Sequence, residues 1–249
     1  MTAPIDWLAP RVDAADARVR WGMAWFVVLM AALWVEERAI APVLGLVACW
    51  AAWEAAAEFG TDRILSVAVT GASVAASTLD TRAVGVVVTA AAVGSVAVAM
   101  VATRGAGRDR SWSRAGSLIA SWLFPTAAAC SVVATARIEL GAAVILVWLA
   151  GMFDAGSYLV GAGARRRLTG LVAGITGAVA VIYMAVQLAV PPLEPDTAWQ
   201  YGVLAAVTLP LGPALAAALL SDRGWAVRRL DSLMVTGPLW AWSIDRLVG

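Results

Sequence analysis

The sequence contains neither lysine nor histidine, and all 18 basic residues are arginine. These absences exclude a histidine general base, a histidine-ligated metal, a Schiff-base lysine and a P-loop lysine. Any chemistry must therefore use carboxylates, hydroxyls, arginines and bound ions. A coding bias towards alanine, arginine, glycine and valine is the simpler explanation of the missing lysine and needs no functional reason.

Cysteine and charge are also scarce. Cys49 and Cys130 lie inside apolar runs, so neither a disulfide framework nor a cysteine metal site is expected. Charged residues make up 14% of the chain and hydrophobic ones 61%, against about a quarter and about half in soluble domains. The net charge of +1 gives no electrostatic reason for a nucleic-acid partner. We predict an all-α integral membrane protein that forms a single domain over 1–249.

Eight apolar segments predict eight transmembrane helices. They cover 21–35, 40–53, 64–79, 83–103, 117–134, 140–158, 168–190 and 201–220. Pro210 and Pro213 predict a kink in the last of them. The first three are shorter than the roughly 20 residues that span a typical bilayer core. A ninth segment, 233–248, contains Pro238 and Asp245 and predicts a short re-entrant or interfacial helix.

The N-terminal residues 1–20 have apolar positions at alternating steps of three and four. This spacing predicts a short interfacial helix, and a soluble lead-in packed on the protein fits equally well. Clusters of arginine lie before the first segment, between the fourth and fifth, between the sixth and seventh, and after the eighth. By the positive-inside rule, these clusters predict a multi-pass protein of the cell membrane with a cytoplasmic N-terminus.

Asp154 is the most unusual residue, because it follows directly on an apolar run within the sixth segment. A carboxylate at the bilayer centre costs roughly 2.5–3.5 kcal/mol. Such a residue indicates a wet cavity, an ion pair or an ion site. Glu54 and Glu58 share one face of the second helix, where they form an ion or proton site or are simply solvated at the membrane boundary.

Arginines and carboxylates gather on the predicted cytoplasmic side. Arg165–Arg167 follow the sixth segment, and a mixed stretch at 222–232 follows the eighth. Guanidinium groups bind phosphate oxygens in pairs, and carboxylates can hold a magnesium ion that bridges phosphates. The pattern indicates a phosphate site, although arginines placed for topology give the same pattern.

The motifs in this region resemble those of the phosphatidate cytidylyltransferases, also called CDP-diacylglycerol synthases. The stretch Asp154-Ala-Gly-Ser-Tyr158-Leu-Val-Gly161 is similar to their D-[TS]-[GA]-A-Y-x-x-G motif. The basic run that ends at Thr169 is similar to their following loop. The closing Arg228-Arg229-Leu230-Asp231-Ser232, called here the RRLDS segment, is similar to their D-R-x-D-S motif and is followed by Pro238 in the last apolar segment.

The sequence also departs from that family. The lysine- and histidine-containing signature that precedes D-R-x-D-S is absent, and so is the glutamate of the basic loop. Arg228 stands where the family has its first aspartate, which reverses the charge at that position.

The resemblance implies attack of a phosphatidate oxygen on the α-phosphate of CTP, with release of pyrophosphate, in phospholipid biosynthesis. It implies that Asp154 and Asp231 are catalytic and hold Mg²⁺. Substrate contacts are implied for Ser157, Tyr158, Arg165, Arg166, Arg167, Thr169, Arg229 and Ser232.

Three functions remain open from the sequence. The protein handles a phospholipid head group or CTP without catalysis, as a homo-oligomer or beside an active relative. Alternatively, it is an active nucleotidyltransferase that makes CDP-diacylglycerol from CTP and phosphatidate. A third alternative is a small transporter or membrane scaffold that uses Asp154. Membrane lipids are partners in all three.

Overall fold

The computed structural model of the 249-residue chain describes residues 9–35, 37–104, 107–161, 168–220 and 224–248. Within these ranges the chain is helical and has no strands. The helices are α1 (Ala9–Val35), α2 (Glu37–Glu58), α3 (Arg63–Ser77), α4 (Thr81–Ala102), α5 (Arg108–Ile138), α6 (Leu140–Gly161), α7 (Leu168–Gln187), α8 (Pro195–Thr208), α9 (Leu211–Leu219), α10 (Val227–Leu230) and α11 (Leu233–Val248).

Each of the eight apolar segments lies on helical structure, and the eighth is divided at Pro210 between α8 and α9. Over the described ranges, 6 stretches are long and apolar enough to cross a membrane. They are Ala39–Glu58, Thr81–Ala102, Arg108–Ile138, Leu140–Gly161, Leu168–Gln187 and Pro195–Leu219. The stretches Arg20–Val35 and Arg63–Ser77 are apolar but shorter. The all-α class is confirmed for the described residues. Six helical stretches have the length and composition of membrane spans, whereas the number eight stays a prediction.

The N-terminal helix begins at Ala9 and continues without a break to Val35. The predicted interfacial stretch 1–20 therefore joins the first apolar segment directly from Ala9 onward. Its first eight residues lie outside the described part of the chain.

The central helix is α5, which packs against α2, α3, α4, α6 and α11. Buried hydroxyls link it to α3, because Ser66 and Ser121 share a hydrogen bond of 2.7 Å and Thr126 donates to Thr70 at 3.2 Å. A bilayer core offers no water to such groups, so they must find partners within the protein. These pairs fix α3 against the centre of the bundle.

The C-terminal helix α11 is built into the bundle. The indole of Trp240 is fully buried and donates to the carbonyl of Ala142 at 3.1 Å. Its ring also meets the ring of Tyr201 edge-on, with centroids 5.3 Å apart. The predicted short terminal helix is therefore present, and its re-entrant or interfacial placement stays a prediction.

Glycines bring α6 and α7 into close contact. A Cβ added at Gly156 would lie 2.8 Å from the carbonyl oxygen of Ala173, and one at Gly161 would lie 3.2 Å from the Cα of Gly170. A Cβ added at Gly174 would overlap Ser157 and lie 2.7 Å from the carbonyl oxygen of Phe153. Small residues let two membrane helices approach backbone to backbone. This pair carries Asp154 and fixes its position.

Candidate functional site

A cleft of about 1110 Å³ opens between α1, α6, α7 and the chain around α10. One part of its wall is apolar and includes Met23, Phe26, Val27, Val147 and Trp148. The other part is polar and consists of Asp154, Ser157, Tyr158, Arg228, Arg229 and Asp231. The cleft therefore joins a hydrocarbon-like surface to a charged one.

Two motifs that are 78 residues apart meet in the polar part of this cleft. The hydroxyl of Ser232 donates to Oδ2 of Asp154 at 3.3 Å. The carboxylates of Asp154 and Asp231 lie near enough to repel each other. The sequence had placed these residues on the same side of the membrane, and the fold brings them into one cluster.

Arg229 lies beside both carboxylates and interacts electrostatically with each. Burial lowers the pKa of Arg229 below its ordinary value, and the charges of Asp154 and Asp231 oppose that shift. Because a guanidinium is not deprotonated in proteins, the group stays positive. The cluster thus brings one cation together with two anions.

The guanidinium of Arg229 is packed as well as charged. It lies over the ring of Trp225, with Cζ 5.6 Å from the ring centroid. On another side it faces Gly22 of α1, where an added Cβ would lie 3.0 Å from Nη1. Trp225 in turn contacts the rings of Trp25 and Trp50 at centroid distances of 6.4 and 5.8 Å. Helices α1 and α2 therefore support a group that belongs to α10.

The carboxylate of Glu54 holds the chain that leads into the RRLDS segment. Its Oε2 accepts the backbone N–H groups of Ala226 at 3.0 Å and Val227 at 3.2 Å, and it packs directly against Gly224. From sequence, Glu54 was expected to be an ion site or a solvated residue. This positioning role was missed, since backbone donors leave no mark in the sequence.

The remaining predicted site residues differ in position. Ser157 and Tyr158 line the cleft, and Ser157 Oγ is a buried atom without a hydrogen-bond partner in the described part of the protein. Thr169 is exposed at the start of α7. Arg165, Arg166 and Arg167 lie outside the described residues. Trp25 and Trp225, which the sequence did not single out as binding residues, also line the cleft, together with Arg228 of the stretch predicted to bind phosphate.

Asp154 and Asp231 form a small donor set for a metal ion. Where side chains are described, no three aspartate, glutamate or cysteine side chains come together to hold one. Magnesium commonly takes only one or two protein carboxylates when substrate phosphates complete its coordination. Asp154 and Asp231 supply those two carboxylates, but both also interact electrostatically with Arg229.

Removing the Glu54 carboxylate is expected to loosen the start of α10. In Glu54→Ala, the N–H groups of Ala226 and Val227 lose their acceptor while both residues remain buried. An unsatisfied buried donor costs about 1–3 kcal/mol, so amide hydrogen exchange at both residues should rise about tenfold or more. Hydrogen-exchange mass spectrometry measures this rise.

Glu194→Ala is the matched control for that experiment. Glu194 also precedes a helix, but its side chain makes no capping hydrogen bond there. Exchange over 226–230 should therefore stay at the wild-type rate in this variant. Wild-type exchange in Glu54→Ala would show that the carboxylate does not position this segment.

The polar part of the cleft combines two kinds of group. Guanidinium groups bind phosphate oxygens, and carboxylates can accept a cation or hold the guanidinium groups in place. The resemblance to the phosphatidate cytidylyltransferases rests on the motifs alone. No family model matches the sequence, and no curated protein matches it.

Proposed function

We propose that this protein binds the phosphate-bearing head group of a membrane lipid in the cleft between α1, α6, α7 and α10. The main support for this proposal is that charged side chains and an apolar wall line the same cleft. A lipid phosphate needs guanidinium donors, while its acyl chains need hydrocarbon. Neither a free ion nor a soluble nucleotide would require both surfaces.

The shape of the cleft supports a lipid as the ligand. Residues of α6 line it from Val147 to Gly161, a distance of about 20 Å at the helical rise of about 1.5 Å per residue. Met23 and Val27 of α1 line the same cleft and are exposed, which opens its wall sideways. An acyl chain can then enter from the surrounding bilayer while the head group meets Arg228 and Arg229.

The arginine pattern supports a cytoplasmic position for the head group. Gly22 near the start of the first apolar helix contacts Arg229, and Gly161 at the end of α6 contacts Gly170 near the start of α7. These are the helix ends beside which the arginine clusters fall in the sequence. By the positive-inside rule, the polar part of the cleft lies at the cytoplasmic face of the cell membrane.

A second candidate function is CTP:phosphatidate cytidylyltransferase activity. The hydrogen bond between Ser232 and Asp154 favours it, because it joins the two motifs that carry the resemblance. In that case Asp154 and Asp231 would hold Mg²⁺, which neutralises phosphate charge when bound. Arg228 and Arg229 would then orient the lipid phosphate.

Binding and turnover separate the two functions. The purified protein is reconstituted into nanodiscs of phosphatidylcholine that contain a fluorescent phosphatidate, or a fluorescent diacylglycerol as the control without phosphate. We expect energy transfer from the cleft tryptophans to the phosphatidate probe alone, and a reduced signal in Arg228→Ala. Equal signals from both probes would contradict the proposed function.

Labelled CTP in the same nanodiscs tests catalysis. CDP-diacylglycerol that forms with Mg²⁺ and disappears in Asp154→Asn would establish the cytidylyltransferase. Specific phosphatidate binding without any product would favour a head-group binder that acts beside an active partner.

A further inference from the structure

We propose that Arg229 is the built-in cation of this site, so that a lipid phosphate binds at Arg228 and Arg229 without a divalent metal. This inference rests on the proposed function and makes it more specific. The ligand class is a lipid with a single phosphate group, and its recognition is independent of Mg²⁺.

The guanidinium of Arg229 occupies the place beside two carboxylates where a metal ion would otherwise bind. It interacts electrostatically with the carboxylates of both Asp154 and Asp231. The planar group carries five N–H donors in a fixed fork, which suits contact with two carboxylates at once. A divalent cation that bridged the same two carboxylates would be repelled by a guanidinium already beside them.

The guanidinium of Arg229 is also held in place by its neighbours. Trp225 lies 5.6 Å from Cζ on one side, and Gly22 leaves room for Nη1 on another. Contacts with Trp25 and Trp50 hold Trp225 itself in place. A side chain supported from α1 and α2 does not move aside easily, so the guanidinium is a fixed part of the site.

The positive and negative side chains of the cleft are equal in number. Arg228, Arg229, Asp154 and Asp231 all line one cleft, which therefore carries two positive and two negative side chains. Arg228 is exposed and lies close enough to Arg229 to affect it electrostatically. An exposed guanidinium that lines the cleft can meet a phosphate at its surface, while Asp154 and Asp231 attract Arg229.

Calorimetric titration of the full-length protein in detergent tests the proposal. Dioctanoyl phosphatidate is added in excess EDTA and, separately, in millimolar Mg²⁺. Dioctanoylglycerol tests the need for phosphate, and inorganic phosphate tests the need for acyl chains. We expect equal phosphatidate affinity with and without Mg²⁺, no binding of the diacylglycerol and much weaker binding of inorganic phosphate.

The arginine variants give the second measurement. Arg229→Lys keeps the charge but loses the fork, so phosphatidate affinity in EDTA should fall about tenfold or more. Arg228→Ala should also weaken phosphatidate binding. Because Arg228 is exposed, this variant still tests the proposal if Arg229→Lys does not fold. Arg246→Lys is the matched control, because Arg246 stacks on Trp242 with Cζ 4.1 Å from the ring centroid, away from the cleft.

The outcomes are distinguishable. Phosphatidate binding that requires Mg²⁺ would overturn the built-in cation but leave the proposed function intact. Inorganic phosphate that binds as tightly as phosphatidate would overturn the lipid as the ligand. An absence of phosphate-dependent binding under both conditions would remove the proposed function as well.

Discussion

Replacement of Gly174 by leucine is expected to separate α6 from α7 and to destroy the cleft. A Cβ at this position would lie 2.7 Å from the carbonyl oxygen of Phe153 and 2.9 Å from its ring, and would also overlap Ser157 Oγ. The carbonyl belongs to the backbone of α6 and cannot turn away. Overpacking costs about 1–3 kcal/mol in ordinary cores, and a contact between two helix backbones should reach the upper end of that range or exceed it.

Thermal unfolding in detergent, followed by size-exclusion chromatography, measures this effect. A loss of 3 kcal/mol would correspond to a fall in Tm of roughly 6–12 °C for a chain of this size. Gly94→Leu is the matched control, because Gly94 lies in the apolar helix α4 and an added Cβ there meets nothing within 4 Å. Equal melting temperatures for the two variants would contradict the close packing of α6 on α7.

Replacement of Asp154 or Asp231 by asparagine is expected to weaken head-group binding while the protein remains folded. Each carboxylate holds Arg229 through its charge, and asparagine has the same shape without the charge. The guanidinium would lose its fixed position, and phosphatidate affinity should fall about tenfold or more, since hydrogen bonds to charged groups contribute about 1.5–3 kcal/mol. Isothermal titration with dioctanoyl phosphatidate in EDTA measures the change.

A double-mutant cycle shows whether the carboxylates act through Arg229. In an Arg229→Ala background, Asp154→Asn should have little further effect on binding, because residues that act as one unit are not additive. Asp109→Asn is the control, since Asp109 is exposed in the first turn of α5. Tighter phosphatidate binding in Asp154→Asn would mean that the carboxylate merely repels the ligand, and would contradict its positioning role.

The helices of this protein follow from local patterns in the sequence. Apolar runs predicted the helices, and Pro210 predicted the kink that the structure shows as a break between α8 and α9. Gly170 and Gly174 of α7 are four residues apart, a spacing that lets membrane helices approach closely, and α6 packs against both. The number of spans is harder to predict, because stretches such as Arg63–Ser77 are shorter than a bilayer core requires.

The candidate site follows from the sequence only in part. Asp154 stood out because an isolated carboxylate in an apolar helix is costly, and the RRLDS segment stood out by its resemblance. The supporting contacts of Glu54, Gly22 and Trp225 did not stand out. They depend on backbone donors and on the meeting of distant helices, and neither has a local signature in the sequence.

The most direct test of lipid binding in the cleft is photo-crosslinking with a phosphatidate that carries a diazirine on its acyl chain. The protein is labelled in nanodiscs, and the labelled peptides are mapped by mass spectrometry. Labels should concentrate on α1 around Met23–Val27 and on α6 around Val147 and Trp148, and excess unlabelled phosphatidate should suppress them. Labels spread evenly over the exposed apolar helices, including α4, would contradict a lipid site in the cleft.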